Sequence, residues 1–167
     1  MQDLLPEICD RMADTVRILP PMFTNYGAKA TFYGEVVTVK AFEDNSKIRE
    51  LVSQHGAGKV IVVDGGGSLR HAMLGDMLAH KAAENEWQGI IINGCVRDVN
   101  AMAKIDLGVQ ALAAHPLKTE KRGLGDINVA ITIGGVLIEA GQYIYADANG
   151  VLVSDKALDL KALGWQS

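Results

Sequence analysis

Long apolar runs and clustered positive charge are both missing from this sequence. No apolar run approaches the roughly 20 residues that a membrane-spanning helix needs, so we expect no membrane partner. Lysine and arginine together number 16 against 20 acidic residues, which gives a net charge of −4 at pH 7. Because a nucleic-acid surface requires clustered cations, the sequence argues against direct binding of nucleic acid.

Cysteine is scarce as well, with only two residues that stand far apart, Cys9 and Cys95. Without CxxC spacing they predict neither a disulfide framework nor a zinc site. The N-terminal residues lack the basic stretch followed by an apolar stretch that marks a secretory signal peptide. We therefore expect a cytoplasmic protein.

Glycine, by contrast, is abundant, with 18 residues that indicate tight turns and close backbone approaches. The 167 residues, 49% of them apolar, suffice for one domain with a proper core. No repeat, linker or low-complexity tract interrupts the chain, so we expect residues 1–167 to form a single domain.

Helices are predicted where apolar residues recur at helical spacing behind a polar starting residue. The first covers residues 3–14, and the second follows Asp44 or Asn45. Two more open at the polar pairs Gly75-Asp76 and Arg97-Asp98, and a short helix ends the chain.

Strands are predicted on both sides of these helices. The continuous apolar run at residues 59–64 predicts a strand buried on both faces, and other strands are predicted at residues 30–42 (with a bulge or bend at Gly34), 90–93 and 108–115. From Ile127 onward, short apolar runs separated by glycine turns predict a β-meander. The mixture predicts an α/β or α+β layered domain whose sheet can curl into a barrel.

The polar pairs in residues 75–98 give the strongest functional signal. Gly75-Asp76 and Arg97-Asp98 open two successive helices that are joined by a buried strand. Unpaired N–H groups at a helix start hold a carboxylate or phosphate. An arginine adds an anion clamp, and a neighbouring aspartate adds a cation ligand. Each pair alone also fits a simple helix-start charge, but together they favour a metal-assisted site for a small anionic substrate.

The glycine run and the histidines give weaker signals. Residues 65–67 do not complete a GxGxxG motif, because Arg70 occupies its last glycine position, so a tight turn is the preferred interpretation. His80 and Glu84 share a helix face without a third ligand at telling spacing, and a solvated face is preferred. His71 is a candidate for the lining of the same cleft.

Four further residues carry little signal of their own. Cys95 is expected to be a buried thiol, and Ser68 lacks the GxSxG elbow of a catalytic serine. Glu139 and Asp147 lie in the predicted meander and are expected to face solvent or a neighbouring subunit.

Several segments spread along the chain share one resemblance: FTNYGAKATFYGEVVTVK, AFEDN, VVDGGGSLRHAMLGDMLA, GIIINGCVRDV and YADANGVLVS. They resemble the RraA/MenG-like family, which includes RraA, an inhibitor of ribonuclease E, and class II 4-hydroxy-4-methyl-2-oxoglutarate aldolases. The aldolases also decarboxylate oxaloacetate and require a divalent metal. They are marked by an aspartate, twenty residues and then Arg-Asp, and Asp76, Arg97 and Asp98 match that pattern.

The resemblance implies a role for each residue of this pattern. Asp98 would hold the cation, Mg²⁺ or Mn²⁺, and Arg97 would bond the keto oxygen of a small 2-oxo acid as pyruvate enolate forms. Asp76 would orient the water that acts as the base, which makes Asp76 and Arg97 the expected catalytic residues. Backbone N–H groups would take the pyruvyl carboxylate, and the expected substrate-binding residues are Gly75, Asp76, Met77, Leu78 and Arg97.

The resemblance also implies a layered ββα, swivelling-domain-like α/β fold with a barrel-like mixed sheet. It implies a ring-shaped homotrimer with sites at subunit interfaces, and leaves open whether trimers pair into hexamers. The alternative function is a non-catalytic regulator that binds and inhibits ribonuclease E. The short chain, without the C-terminal extension of longer aldolases, is similar to the regulators, whereas Asp98 favours the enzyme.

Overall fold

The computed structural model describes residues 3–166. Its helices are α1 (Leu4–Met12), α2 (Ser46–Val52), α3 (Asp76–Glu84) and α4 (Val99–Met102), with 3₁₀ turns at Ala13–Thr15 and Leu160–Leu163. Its strands are β1 (Val16–Ile18), β2 (Thr24–Asn25), β3 (Phe32–Lys40), β4 (Lys59–Asp64), β5 (Ala72–Leu74), β6 (Gly89–Val96), β7 (Gly108–Ala114), β8 (Asp126–Ile127), β9 (Ile131–Ile133), β10 (Val136–Ile138), β11 (Tyr143–Asp147) and β12 (Gly150–Ser154). No helix within these residues is long and apolar enough to cross a membrane.

Ten of these strands form one large mixed sheet, which confirms the predicted α/β class. The strand order is β1-β12-β11-β3-β4-β6-β7-β2, with β5 paired to β6 and β8 paired to β3. The central strands β3, β4, β6 and β7 run parallel to one another. The flank formed by β11, β12 and β1 is antiparallel. The parallel centre is the part that carries the polar pairs at its strand ends.

Apolar clusters cover both faces of the central strands, as the unbroken run of β4 predicts. Val60 and Val62 pack into the cluster that includes the β9–β10 hairpin. Ile61 and Val63 alternate to the opposite face and pack into the cluster that includes α2 and α3. Both faces of the central strands are therefore buried, and the solvent-accessible surface near the polar pairs lies at the strand ends.

A third apolar cluster attaches α1 to the antiparallel flank. Leu4, Leu5 and Ile8, spaced as one helical face, pack beside Tyr145 and Leu152. The predicted N-terminal helix is thus confirmed, although it ends at Met12, two residues before the predicted boundary.

Of the bulge or bend predicted at Gly34, the bulge is wrong. Gly34 pairs with Ile144 in an unbroken register that continues to Glu35 and Tyr143. The glycine is needed for space instead, because a Cβ at this position would lie 2.5 Å from the Gly58 carbonyl oxygen.

The predicted meander is interrupted, since β9 and β10 leave the main sheet to form a separate hairpin. Strand β11 then pairs with both β12 and β3, so the returning chain completes the antiparallel flank. The expected C-terminal helix is a single 3₁₀ turn, Leu160–Leu163. The short strands β1, β2 and β5 were not predicted, because two or three residues carry too little periodicity.

Candidate active site

The parallel strands β3, β4, β6 and β7 all point the same way, and so does β5 beside β6. Their carboxyl ends therefore meet at one edge of the sheet, the place where open α/β sheets bind ligands. A cleft of about 730 Å³ lies there, and the segments that follow four of these strands, β3, β5, β6 and β7, all line it.

Strand β5 places the two polar pairs side by side. Leu74 of β5 lies opposite Val96 of β6, and the Arg97 N–H donates to the Leu74 carbonyl oxygen at 2.9 Å. The residues that follow these two strands, Gly75-Asp76 and Arg97-Asp98, are therefore neighbours. Asp76 and Asp98, 22 positions apart in the sequence, thus meet through a three-residue strand.

Asp98 holds the two pairs together. Its Oδ2 accepts a hydrogen bond from the Asp76 backbone N–H at 3.0 Å, and its side chain is 38% exposed. A Cβ at position 75 would lie 2.6 Å from this oxygen, so a side chain there would displace the Asp98 carboxylate. Asp98 also has left-handed backbone angles (φ 57°, ψ 43°), an uncommon conformation for a non-glycine residue that aspartate tolerates better than most.

The start of α3 offers backbone donors to the cleft. Gly75 is its N-cap, and the first helical bond runs from the Ala79 N–H to the Gly75 carbonyl oxygen. The N–H groups of Met77 and Leu78 consequently have no partner within the helix. Residues 75–78 all line the cleft, so these donors and the helix dipole favour an anion there.

Arg97 is held loosely. Its Nε lies 3.9 Å from Asp98 Oδ2, and the side chains are 36% and 38% exposed. No other carboxylate within residues 3–166 forms an ion pair with it. Most of the guanidinium donors thus remain available to a ligand, in the planar arrangement that suits oxygen anions.

The cleft also contains residues that sequence reasoning missed. They come from α2 and its start and from the segment after β7: Asn45, Arg49, Leu117, Lys118, Thr119, Glu120 and Lys121. The signal that could have found them is the strand order, because residues that follow neighbouring parallel strands share one edge.

Glu43 anchors the glycine loop that precedes β5. Arg70 donates to both of its carboxylate oxygens at 2.9 Å, and Ser68 Oγ donates at 2.7 Å. These hydrogen bonds, that of Arg70 first, lower the pKa of Glu43 to about 2. His71, which lines the cleft as predicted, places Nδ1 at 3.1 Å from Glu43 Oε2.

The remaining candidates behave mostly as expected. The loop 65–71 is a tight turn, and His80 and Glu84 are exposed on α3. Cys95 is 1% exposed, and its burial raises the pKa of the thiol. Asp147 was expected to face solvent or a subunit, and this is wrong: it is 4% exposed and accepts from the backbone of Leu5.

Asp98 and Asp76 supply the only carboxylates that the polar pairs bring to the cleft. Within residues 3–166, no group of three His, Cys, Asp or Glu side chains could surround a metal. The donor set nevertheless fits a hard cation that keeps most of its water, because one carboxylate plus waters and substrate oxygens is an ordinary Mg²⁺ shell. Asp98 Oδ1 takes no part in its contacts with Asp76 and Arg97, which both use Oδ2.

Comparison with known proteins decides the family. The family described as RraA-like (Aldolase/RraA) matches residues 5–153. The chain belongs to the RraA-like family. A relative from Pseudomonas aeruginosa (strain LESB58) is 57% identical over 96% of this chain and 99% of its own length. One from Pseudomonas fluorescens (strain SBW25) is 59% identical over 93% and 95% of the two chains. Both are named "Putative 4-hydroxy-4-methyl-2-oxoglutarate aldolase".

Solved structures show the same RraA-type fold. "RNA-processing inhibitor RraA" from Thermus thermophilis superimposes with a TM-score of 0.91 at 37% identity, over 95% of this chain and 96% of that one. A Geobacillus kaustophilus protein described as "S-adenosylmethionine: 2-dimethylmenaquinone methyltransferase" has a TM-score of 0.91 at 40% identity over the full length of both chains. Proteins of this family thus carry different functional names on one architecture.

Proposed function

We propose that this RraA-like protein is a class II lyase that cleaves 4-hydroxy-4-methyl-2-oxoglutarate to pyruvate and also decarboxylates oxaloacetate. The observation that carries the proposal is the junction of Gly75-Asp76 with Arg97-Asp98, where an anion site, an arginine and an aspartate with a spare oxygen share one cleft. The names of the relatives at 57–59% identity support it.

The start of α3 binds the carboxylate next to the keto group. The N–H groups of Met77 and Leu78 donate to it, and the helix dipole favours its charge. This contact fixes the keto oxygen toward Arg97 at the end of the neighbouring strand. The substrate is thereby oriented before any bond breaks.

Arg97 stabilises the charge that develops on the keto oxygen. In both reactions the electrons of the broken carbon–carbon bond move into an enolate of pyruvate, which then takes a proton at carbon. A guanidinium beside that oxygen stabilises the enolate more than the ketone, and this difference lowers the barrier.

Asp98 is the residue that would hold a divalent cation, with Mg²⁺ or Mn²⁺ suited to a shell of one carboxylate and water. When bound, the cation would supply Lewis-acid stabilisation of the same developing charge. Asp98 also fixes the start of α3 through its hydrogen bond from Asp76, so the anion site depends on it as well.

Asp76 serves the aldol reaction alone. Its side chain lies at the cleft, where it orients a water that accepts the proton of the substrate hydroxyl as the carbon–carbon bond breaks. Decarboxylation releases carbon dioxide and requires no such base.

We further propose a cytoplasmic homotrimer, with pairing into hexamers left open. Five large apolar side chains are exposed at or near the cleft in the sequence: Met77 and Leu117 line it, and Phe42, Leu69 and Leu124 lie within a few residues of other lining residues along the chain. Apolar patches of this kind mark protein contacts. Light scattering should give the mass of a trimer at micromolar concentration, and a monomer mass would contradict the assembly.

The experiment that tests the activity measures pyruvate released from 4-hydroxy-4-methyl-2-oxoglutarate and from oxaloacetate, with added Mg²⁺ or Mn²⁺ and with a chelator. We expect release that the chelator abolishes and the metal restores. Absence of release with every metal would overturn the proposal. The regulator function, which the Thermus relative's description supports, would then be tested by binding to ribonuclease E.

A further inference from the structure

We propose that Glu43 is a positioning residue of the active site. It holds the glycine loop, residues 65–71, where this loop enters β5, and thereby sets the place of Gly75-Asp76 at the cleft. The inference rests on the proposed function and extends it to a side chain that does not itself line the cleft.

The residues that lead into β5 are not fixed by their own backbone. Within residues 3–166, no backbone N–H of residues 69–71 donates to a backbone oxygen, whereas the Gly67 N–H donates to the Asn93 carbonyl oxygen in β6 at 3.1 Å. The Arg70 N–H donates to a side chain, Ser68 Oγ, at 3.2 Å. The first half of the loop is thus tied to β6 by its main chain, and the second half depends on side chains.

Glu43 supplies these side-chain contacts. Its carboxylate, in a side chain that is 13% exposed, accepts from Arg70 Nε and Nη2 at 2.9 Å and from Ser68 Oγ at 2.7 Å. His71 Nδ1 lies 3.1 Å from the same carboxylate. Three of the four residues that precede β5 therefore contact one acidic side chain. Bidentate pairs of arginine and carboxylate are among the strong hydrogen-bonded contacts of proteins.

The segment that carries Glu43 is fixed by contacts outside the glycine loop. The neighbouring Asp44 is fully buried, and its carboxylate accepts from the Ser46 N–H at 2.9 Å and from the Arg122 N–H at 2.8 Å. These bonds tie the segment after β3 to α2 and to the segment after β7. Glu43 is thus an anchor, and the second half of the glycine loop is the part that moves without it.

Strand β5 carries the position of the loop into the cleft. This strand has three residues and is paired with β6 at two positions, with a register shift between them. The Leu74 carbonyl oxygen at its end accepts from the Arg97 N–H at 2.9 Å. Two residues further on, the Asp76 N–H donates to Asp98 Oδ2 at 3.0 Å. Because the strand is so short, a shift of the loop reaches both hydrogen bonds.

Misplacement and partial unfolding predict different kinetics. Loss of folded protein lowers the apparent kcat but leaves KM and the Kd for pyruvate unchanged, because the remaining molecules have an intact site. A displaced start of α3 weakens binding of the pyruvyl carboxylate in every molecule, so KM and the Kd both rise. Misplacement of reacting groups by about 1 Å can lower a rate about a hundredfold.

The first test is hydrogen exchange of Glu43→Gln followed by mass spectrometry, which needs neither substrate nor activity. The amide keeps the size of the side chain but loses the charge that Arg70 contacts. We expect faster exchange in residues 72–79 and 96–98, on both sides of the junction, and unchanged exchange in α1 and β12. Unchanged exchange at the junction, or faster exchange confined to residues 65–71, would overturn the inference.

The second test measures the Kd for pyruvate by calorimetry with Mg²⁺, and KM for oxaloacetate, in Glu43→Gln and Arg70→Gln. We expect both constants to rise about tenfold in each variant, since each change removes the same ion pair and displaces the anion site. The double variant should be no worse than the weaker single variant. A melting curve shows that each variant is folded at the assay temperature. A loss of kcat at unchanged KM, or an effect in only one of the two variants, would overturn the inference.

Asp155→Asn is the matched control. Asp155, just after β12, also accepts from an arginine, Arg17, at 3.0 Å, and from Gln142 at 3.1 Å. Its replacement removes a similar set of hydrogen bonds from a part of the sheet that does not line the cleft, so KM and the Kd for pyruvate should not change. An equal rise in this control would show a general effect of lost ion pairs and overturn the assignment.

The outcomes separate this inference from the proposed activity. If the wild-type protein neither binds nor releases pyruvate, the proposed function fails, and hydrogen exchange still decides whether Glu43 positions β5 and the start of α3. If the wild-type protein releases pyruvate and Glu43→Gln changes neither KM nor exchange at the junction, the function stands and the inference fails.

Discussion

Asp98 in the cleft and Asp147 in the antiparallel flank both lie at a strand end, yet their oxygens are used differently. Both oxygens of Asp147 are occupied, Oδ2 by the Leu5 N–H at 3.0 Å and Oδ1 by the Asn149 N–H at 2.7 Å. Asp98 receives one backbone hydrogen bond and remains 38% exposed. The buried, saturated aspartate connects α1 to the flank, whereas the open one keeps bonding capacity for a ligand.

The two aspartates are expected to have different roles, one in stability and one in ligand binding. A buried carboxylate whose hydrogen bonds are all internal contributes to stability, since its removal leaves buried donors unpaired. A carboxylate held by one bond at a cleft, in a left-handed backbone conformation, contributes little to stability. Substitutions at the two positions should therefore change different quantities.

Replacement of Asp98 should have the largest effect on catalysis. Asp98→Ala removes the proposed cation ligand and should lower the rate of oxaloacetate decarboxylation about a thousandfold or more, because several kcal/mol of transition-state stabilisation are lost. Asp98→Asn is the control for folding, because asparagine also adopts left-handed backbone angles readily and should lose activity without loss of stability. Steady-state kinetics with a melting curve tests this, and near wild-type, chelator-sensitive activity would remove Asp98 from the site.

Replacement of Asp147 should do the reverse. Asp147→Ala leaves the buried N–H group of Leu5 without its acceptor, at a cost of about 1–3 kcal/mol, whereas the N–H group of the exposed Asn149 can bond to water instead. We expect the free energy of unfolding in urea to fall by about 1–3 kcal/mol, with unchanged kcat/KM in the protein that remains folded. If Asp147→Ala lost activity but kept the wild-type free energy of unfolding, Asp147 would contribute to function and this prediction would be wrong.

Asp76→Asn should distinguish the two reactions of the cleft, aldol cleavage and decarboxylation. The amide keeps the size of the side chain and the backbone N–H that donates to Asp98, but it cannot orient a water as a base. Aldol cleavage should fall about a hundredfold or more, the usual contribution of general base catalysis, while decarboxylation changes little. Parallel assays of the two reactions check this, and equal losses would assign Asp76 to binding instead.

Gly75→Ala tests the close contact that brings the polar pairs together. A Cβ would lie 2.6 Å from Asp98 Oδ2, so the carboxylate must move and its hydrogen bond from Asp76 is lost. We expect roughly a tenfold loss of kcat/KM, about 1.4 kcal/mol, with little change in stability. Gly141→Ala, at a glycine away from the cleft, places its Cβ in open space but strains the backbone at φ 89°, so it should lower stability without reducing activity.

Much of this architecture could be predicted from local sequence, but the assembly of the cleft could not. The apolar run 59–64 matches β4 at both ends, and the helix start at Gly75-Asp76 is confirmed. Strand β5, which joins the polar pairs, has only three residues and is defined by its long-range pairing with β6. Local periodicity carries no signal for such a strand.

The cations of the cleft were missed for a related reason. Arg49 and Lys118 are 69 positions apart, and only the parallel order of β3, β4, β6 and β7 brings their segments to one edge. The buried Asp147 was misjudged because its main partner, the Leu5 N–H, is 142 positions away. Contacts of this separation depend on the assembled sheet rather than on the neighbouring sequence.

The smallest expected effect concerns acid stability at Glu43. Because Arg70 and then Ser68 lower its pKa from 4.5 to about 2, the charged form stabilises the folded protein. That contribution is complete above pH 4.5 and is lost as the pH falls toward 2, since protonation then occurs in the folded state too. The Tm difference between the wild-type protein and Glu43→Gln should therefore be constant above pH 5 and shrink below pH 4.5.

Arg70→Gln should remove the same pH-dependent stabilisation, because it removes the partner of the Glu43 carboxylate. The Glu43→Gln/Arg70→Gln double variant should be no less stable than either single variant. Additive losses in this cycle would show that Glu43 and Arg70 stabilise the glycine loop independently.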